Sequence, residues 1–355
     1  MRQTALRAIS SVPTGTALLL LACASEERAS SRDTATAEAG SFVYISNEDS
    51  NDISVIDTHH DSVVATIPVG KRPRGILVSP NGRTVYVALS GSPKAPPGID
   101  ESTLPPADKS ADGIAAIDVA TRQVRATYPG GSDPEAFAIS PDGRTIFVSN
   151  EDVSLASALD VTTGKVSYQL RVGDEPEGVG ITPDGRYVYV TGETTNDVAV
   201  IDVNARQVMK RIATGKRPRA IAFTPDGRKA YVSEELGGTV AVVDVARHEV
   251  VGGVGVPGEG AKPMGVAVTP DGRLLLVTTG RGGSLAFIDI ERDSVLTTID
   301  VGARPWGVAI TPDGAKAYTA NGPSNDVAVI DLATRRVVKR IRVGRVPWGA
   351  AAGAR

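Results

Sequence analysis

The chain has 355 residues, 41% of them hydrophobic and 22% charged, with 38 glycines, 23 prolines and a formal charge of −3. That is the make-up of a folded, acidic, turn-rich chain. It contains no run of eighteen apolar residues, so no transmembrane helix is expected, and its acidity gives no global support to nucleic-acid binding. A single cysteine excludes an internal disulfide.

The first segment reads as an export signal, residues 1–22. Arg2 and Arg7 supply a basic start, and residues 17–22 supply a short apolar core. The cysteine, Cys23, follows at once, and Leu20-Leu21-Ala22-Cys23 resembles a bacterial lipobox, whose cysteine is acylated and becomes the mature N-terminus. With no Asp at position 24, that resemblance implies a lipid anchor in the periplasm, at the outer membrane. Residues 23–40 are small and polar and read as a flexible tether.

From Phe42 onward one phrase recurs seven times, an apolar pair ending in Asp: Asp57, Asp118, Asp160, Asp202, Asp244, Asp289 and Asp331. The spacings are 61, 42, 42, 42, 45 and 42 residues. A period of about 40–45 residues rich in short strands is that of a β-propeller blade. One unit shows the logic. Val179-Gly180-Ile181-Thr182 is a short apolar run, and Pro183-Asp184-Gly185 turns the chain, with Gly in the left-handed conformation. Tyr187-Val188-Tyr189-Val190 is a second strand, then a polar loop runs to Asp197. Residues 198–203 and 208–213 make two more strands. The predicted fold is all-β: a seven-bladed β-propeller of four-stranded antiparallel blades, residues 41–355. The chain enters in the second strand of a blade, so the missing innermost strand must come from Pro347-Trp348-Gly349-Ala350-Ala351, paired beside residues 43–46. That closure removes a free sheet edge.

In such a ring the crossovers between blades and the loops between second and third strands share one face. A Pro-x-small motif precedes each innermost strand, and its variable residue is, in ring order, Arg74, Glu135, Glu177, Arg219, Met264, Trp306 and Trp348. One arc is charged and the other apolar and aromatic. Pairing of Arg74 with Glu135 and of Glu177 with Arg219 would be structural, as surface ion pairs contribute only about 0–1 kcal/mol. The two tryptophans hold the same repeat position in adjacent blades and are the candidate anchors for a ligand or partner. Loops rich in carboxylates and amides, at 46–49, 149–152, 192–196, 233–235 and 321–325, lie on the same face. They do not exclude Ca²⁺, but none has the dense alternating Asp pattern of a dedicated calcium site. The first repeat carries an insertion at about 91–112 with five prolines, in which neither strand nor helix is expected.

Three histidines, two of them adjacent, give no spaced metal-ligand set, and no nucleophile elbow or phosphate loop occurs. No catalytic residue, resident metal or cofactor is therefore assigned. Tyr86-Val87-Ala88, Phe147-Val148-Ser149-Asn150, Tyr189-Val190-Thr191-Gly192 and Tyr231-Val232-Ser233-Glu234 resemble the YVTN β-propeller repeat, over essentially residues 42–352. Within that class, Asp133-Pro134-Glu135-Ala136-Phe137, Glu175-Pro176-Glu177-Gly178 and Gly344-Arg345-Val346-Pro347-Trp348-Gly349 are similar to the YncE-like, PQQ-dependent catabolism-associated β-propeller proteins. The resemblance implies a non-catalytic exported binding or scaffold protein, accessory to an envelope PQQ-dependent alcohol dehydrogenase system. Its association with PQQ would be indirect, and its partner a quinoprotein dehydrogenase or cytochrome. Two other functions stand beside it: a lactonase-like hydrolase, and a single-stranded nucleic-acid-binding propeller stacking bases on its tryptophans. A monomer is expected.

Overall fold

The computed structural model describes residues 41–94 and 103–354. The predicted export signal, Cys23, the tether and the middle of the insertion lie outside the described residues.

The repeat builds seven four-stranded antiparallel sheets arranged as blades. The unit read above becomes blade IV, with strands Pro176–Ile181, Tyr187–Gly192, Asp197–Asp202 and Gln207–Ala213. Its second and third strands are buried at nearly every position, whereas the outermost strand alternates exposed and covered residues. This is the pattern expected when both faces of a sheet pack on neighbouring sheets and one edge meets solvent. The core is accordingly divided into wedges between blades: Tyr189, Val198 and Val200 of blade IV pack with Val232, Ala241 and Val243 of blade V.

Closure follows the sequence reading. Strand Pro347–Ala354 lies innermost beside Ser41–Asn47, with Val43 opposite Ala352, Tyr44 opposite Ala351 and Ile45 opposite Ala350. Blade I thus takes strands from both ends of the repeat array.

The recurring Asp is a turn-forming residue. Each of the seven accepts backbone N–H bonds from the turn that follows, for example Asp57 from His59 and His60, Asp202 from Ala205, and Asp289 from Arg292. The Pro-Asp/Asn-Gly turns likewise place glycine at φ near +70°, as at Gly185 and Gly227.

A tyrosine of the second strand also reaches the last turn of the next blade. Tyr189 bonds His248 at 2.6 Å, Tyr231 bonds Asp293 at 2.6 Å, and Tyr318 bonds Asp61 across the closure. Lys229 and Lys316 reinforce the latter two, each 2.7 Å from the same carboxylate. The insertion departs from expectation in one detail, a 3₁₀ turn at Lys109–Ala111, held by Lys71–Asp108 at 2.6 Å and by Lys109 with Asp152.

The small residue of the Pro-x-small motif has a steric cause. A Cβ at Gly75 would stand 2.8 Å from the Glu135 carbonyl oxygen, one at Gly307 2.8 Å from the Trp348 oxygen, and one at Gly349 2.6 Å from the Arg74 oxygen. At Gly178 it would overlap the Arg219 oxygen outright. Gly178→Ala is therefore expected to destabilise the ring by about 3 kcal/mol or more, since backbone cannot step aside. Gly255, whose Cβ would meet nothing within 4 Å, should tolerate alanine within about 0.5 kcal/mol. Urea unfolding of the two variants measures the contrast.

Candidate ligand-binding mouth

The crossover chain enters six of the seven blades under strain. The residue before the motif proline is left-handed at Arg72, Asp133, Glu175, Arg217, Arg304 and Val346, with φ between 42° and 61°. Such a conformation costs a non-glycine residue of order 1–3 kcal/mol, and proline restricts its predecessor further. Local bonds hold it. The N–H groups of Arg72, Arg217 and Val346 donate to the side-chain oxygens of Asn51, Asn196 and Asn325 at 3.1, 2.9 and 2.8 Å, and that of Asp133 donates to Asp112 at 3.0 Å.

A hydroxyl at the end of the second strand then fixes the variable motif residue of the following blade. Ser46 donates to the Arg74 carbonyl, Ser149 to Glu177, Thr191 to Arg219, Ser233 to Met264 and Thr278 to Trp306, at 2.6, 2.6, 3.2, 2.5 and 2.6 Å. This gives the Thr/Ser of the Tyr-Val-Thr/Ser phrase a physical role. It ties each blade to the mouth residue of the next.

The structure brings the seven candidate residues around one opening but presents them differently. Arg74, Glu135, Glu177, Arg219 and Met264 are buried. Trp306 and Trp348 are only half-buried. Arg74 pairs with Glu135, with Asp133 at 2.5 Å and with Glu151 at 3.5 Å. Arg219 pairs with Glu177, with Glu193 at 2.6 Å and with Glu235 at 2.8 Å. Both expected cross-blade pairs therefore form, but in the interior rather than at the surface. Breaking one would leave a buried charge uncompensated.

Sequence reasoning placed Glu151, Glu193 and Glu235 in polar loops without assigning them partners. The available signal was their shared position, the first loop residue after the second strand, also held by Glu48. Glu48 pairs with Arg72 at 3.0 Å and Lys94 at 2.8 Å. Burial works to raise the Glu48, Asp133 and Glu235 carboxyls, but the neighbouring Arg72, Arg74 and Arg219 respectively outweigh it and hold them below the usual range. Glu193 and Glu151 go the other way: burial raises Glu193 despite Arg217, with Glu175 and Glu235 adding to the rise, and Glu151 is raised further. Burial pushes it up to about 7; Arg74 opposes the rise, while Asp133 and Glu193 add to it.

The aromatic arc differs in kind. The Trp306 and Trp348 rings pack with centroids 5.6 Å apart and planes at 31°. The guanidinium of Arg304 lies 5.0 Å from the Trp306 centroid, and that of Arg219 lies 5.9 Å from it. Indoles combine large apolar area with a polar edge, so a half-buried pair is a ready binding anchor. Among the described residues, no three of His, Cys, Asp or Glu converge to hold a metal ion.

The model of the choice-of-anchor I domain matches residues 29–217, just over half of the chain. The chain belongs to the choice-of-anchor I family. A second model, the seven-bladed β-propeller lactonase, matches residues 179–342 of this family member. A curated relative, Antigen Lp49 of Leptospira interrogans, is 28% identical over 108 residues, which are 30% of this chain and 23% of that protein's length. Solved structures support the fold alone. A protein of unknown function from Desulfotomaculum acetoxidans superposes with a TM-score of 0.73 at 16% identity, over 88% of this chain and 98% of that one. A candidate 6-phosphogluconolactonase from Bacteroides fragilis gives 0.73 at 17% identity, over 90% and 99%. Hydrazine synthase of Kuenenia stuttgartiensis gives 0.67 at 22%, over 79% and 92%.

The Glu151 geometry sets a pH dependence. A carboxyl whose folded pKa lies above its unfolded value of about 4.3 contributes stability below that value, and loses it as pH rises through about 7. Glu151→Gln should therefore match wild type at pH 5 and unfold at a higher temperature than wild type at pH 8. Calorimetric melts at both pH values check the sign.

Proposed function

We propose that this propeller is an exported, surface-attached binding protein that engages its target through the loop-rich mouth, with Trp306 and Trp348 as the anchors. The observation that carries the reading is the exposed share of that stacked pair beside a charged arc whose ions are already paired. Buried aromatic anchors dominate binding energy in protein interfaces and small-ligand sites alike. Membership of a choice-of-anchor family and the likeness to an antigen support placement at the cell envelope. Lipid attachment through Cys23, periplasmic exposure at the outer membrane and an accessory role beside a PQQ-dependent dehydrogenase are the finer form of the same reading, resting on the lipobox and on the resemblance to YVTN propellers.

Replacing both tryptophans with alanine should abolish recovery of partner proteins with the propeller from its own cell envelope, while unfolding stays cooperative. Retained recovery would sink the site. Metabolic labelling with an alkyne fatty acid should tag wild type and leave Cys23→Ala unlabelled and released from membranes. Equal labelling of both would remove the anchor.

A second reading, lactone hydrolysis, is favoured by the lactonase model over blades IV to VII. It lacks a visible water-activating metal cluster among the described residues. Purified protein supplied with divalent metals should leave lactone hydrolysis at its background rate. Metal-dependent turnover would make this reading the better one.

A further inference from the structure

The charges around the mouth are not balanced evenly. Seven carboxylates of the charged arc and its rim, Glu48, Asp133, Glu135, Glu151, Glu177, Glu193 and Glu235, all have a cationic partner within 4 Å. On the aromatic arc the situation is reversed. Arg281, in the 3₁₀ turn Gly280–Gly282 of blade VI, is exposed and forms no ion pair or side-chain hydrogen bond among the described residues. Arg304, in the next crossover, is also exposed; its guanidinium lies over the face of Trp306 and forms no ion pair among the described residues.

These two cations stand close enough to work against each other. Partial burial is the largest influence depressing the proton affinity of Arg304, and the charge of Arg281 is next; Glu235 and Glu48 oppose that fall without pairing with it. The backbone holds Arg304 in place, since its φ is +49° and it is followed by Pro305. Two unneutralised guanidinium groups, one of them over the Trp306 face, on the rim that carries the two stacked indoles make a surface with one missing element. That element is negative charge on a flat apolar body.

We infer that the aromatic arc is a binding site for a small planar aromatic carboxylate, its ring laid on Trp306 and Trp348 and its acid groups received by Arg281 and Arg304. The inference rests on the mouth being a binding site and names what occupies this part of it. The chemistry is direct. Guanidinium forks bind carboxylates bidentately, and an aromatic ring on indole adds stacking that neither an aliphatic acid nor an inorganic anion provides.

The chain's only two tryptophans both lie in this site, so tryptophan emission reports on it alone. Terephthalate, titrated into the purified propeller with excitation at 295 nm, should change that emission saturably. Benzyl alcohol and benzylammonium at the same concentrations should change it far less. The double variant Arg281→Gln, Arg304→Gln should bind terephthalate about tenfold or more weaker, the loss expected from removing charge-assisted bonds. In the free protein, iodide should quench emission more strongly than caesium, and the variant should reverse that preference while its unfolding transition is unchanged.

A response to benzylammonium equal to that of terephthalate overturns the inference. So does an unaltered terephthalate affinity in the arginine variant, or the absence of any saturable response. If terephthalate fails but partner recovery still needs Trp306 and Trp348, the anion site is wrong and the binding mouth stands. If partner recovery also survives the tryptophan substitutions, the binding mouth itself is wrong.

Discussion

The fold depends on how closely the innermost strands approach one another. At each step around the ring the carbonyl of a motif residue sits where a side chain of the preceding blade would otherwise be, as at Gly75, Gly178, Gly265, Gly307 and Gly349. Alanine replaces glycine at Ala136 and Ala220, and no larger residue holds this motif position. That packing leaves the carbonyl pointing at its neighbour, where a Ser or Thr hydroxyl of the preceding second strand meets it. A buried carbonyl without a partner would cost about 1–3 kcal/mol, so glycine and hydroxyl belong to one device. The geometry that closes the ring is therefore the geometry that aims the mouth residues.

The charged arc follows from the same constraint. On this side of the opening the motif residues are poorly hydrated, and Arg74 and Arg219 are almost fully buried. A guanidinium in that position must be surrounded by carboxylates, and each has three. The arrangement neutralises itself and has little charge to offer a ligand. Its excess appears at Glu151, the carboxyl that burial and its acidic neighbours drive toward protonation near neutral pH. The aromatic arc has the opposite character, with Arg281 and Arg304 exposed and, among the described residues, in no ion pair.

Much of this was legible in the sequence. The period, the Pro-Asp-Gly turns and the alternation within strands yield seven blades and the closing strand, because each depends on local residue type and spacing. The segregation of the motif residues into charged and aromatic arcs was legible too. Which of them face solvent was not. Met264 and Glu135 occupy the same repeat position as Trp306, yet they are buried and it is half-buried, a difference set by neighbouring loops and by side-chain size. Two of the three partners of Arg219 were equally hidden, since Glu193 and Glu235 come from the loops of two different blades. The left-handed residues before proline ran against local propensity, and for four of the six an Asn or Asp side chain bonded to the N–H group holds the conformation.

The position of the tryptophans ties binding to architecture. Trp348 lies on Pro347–Ala354, the strand that completes blade I, and Trp306 lies at the start of blade VII, its neighbour in the ring. Their stacking therefore joins blade VII to the strand that closes blade I. The same junction is held on its outer side by Lys316 and Tyr318 reaching Asp61. A ligand seated on both indoles would hold Pro347–Ala354 against blade VII in the place where it pairs with Ser41–Asn47, and any preference for that closed arrangement adds to the free energy of closure by linkage. The weakest topological point of a propeller, the place where chain ends must pair, is here also the place where occupancy of the mouth would strengthen it.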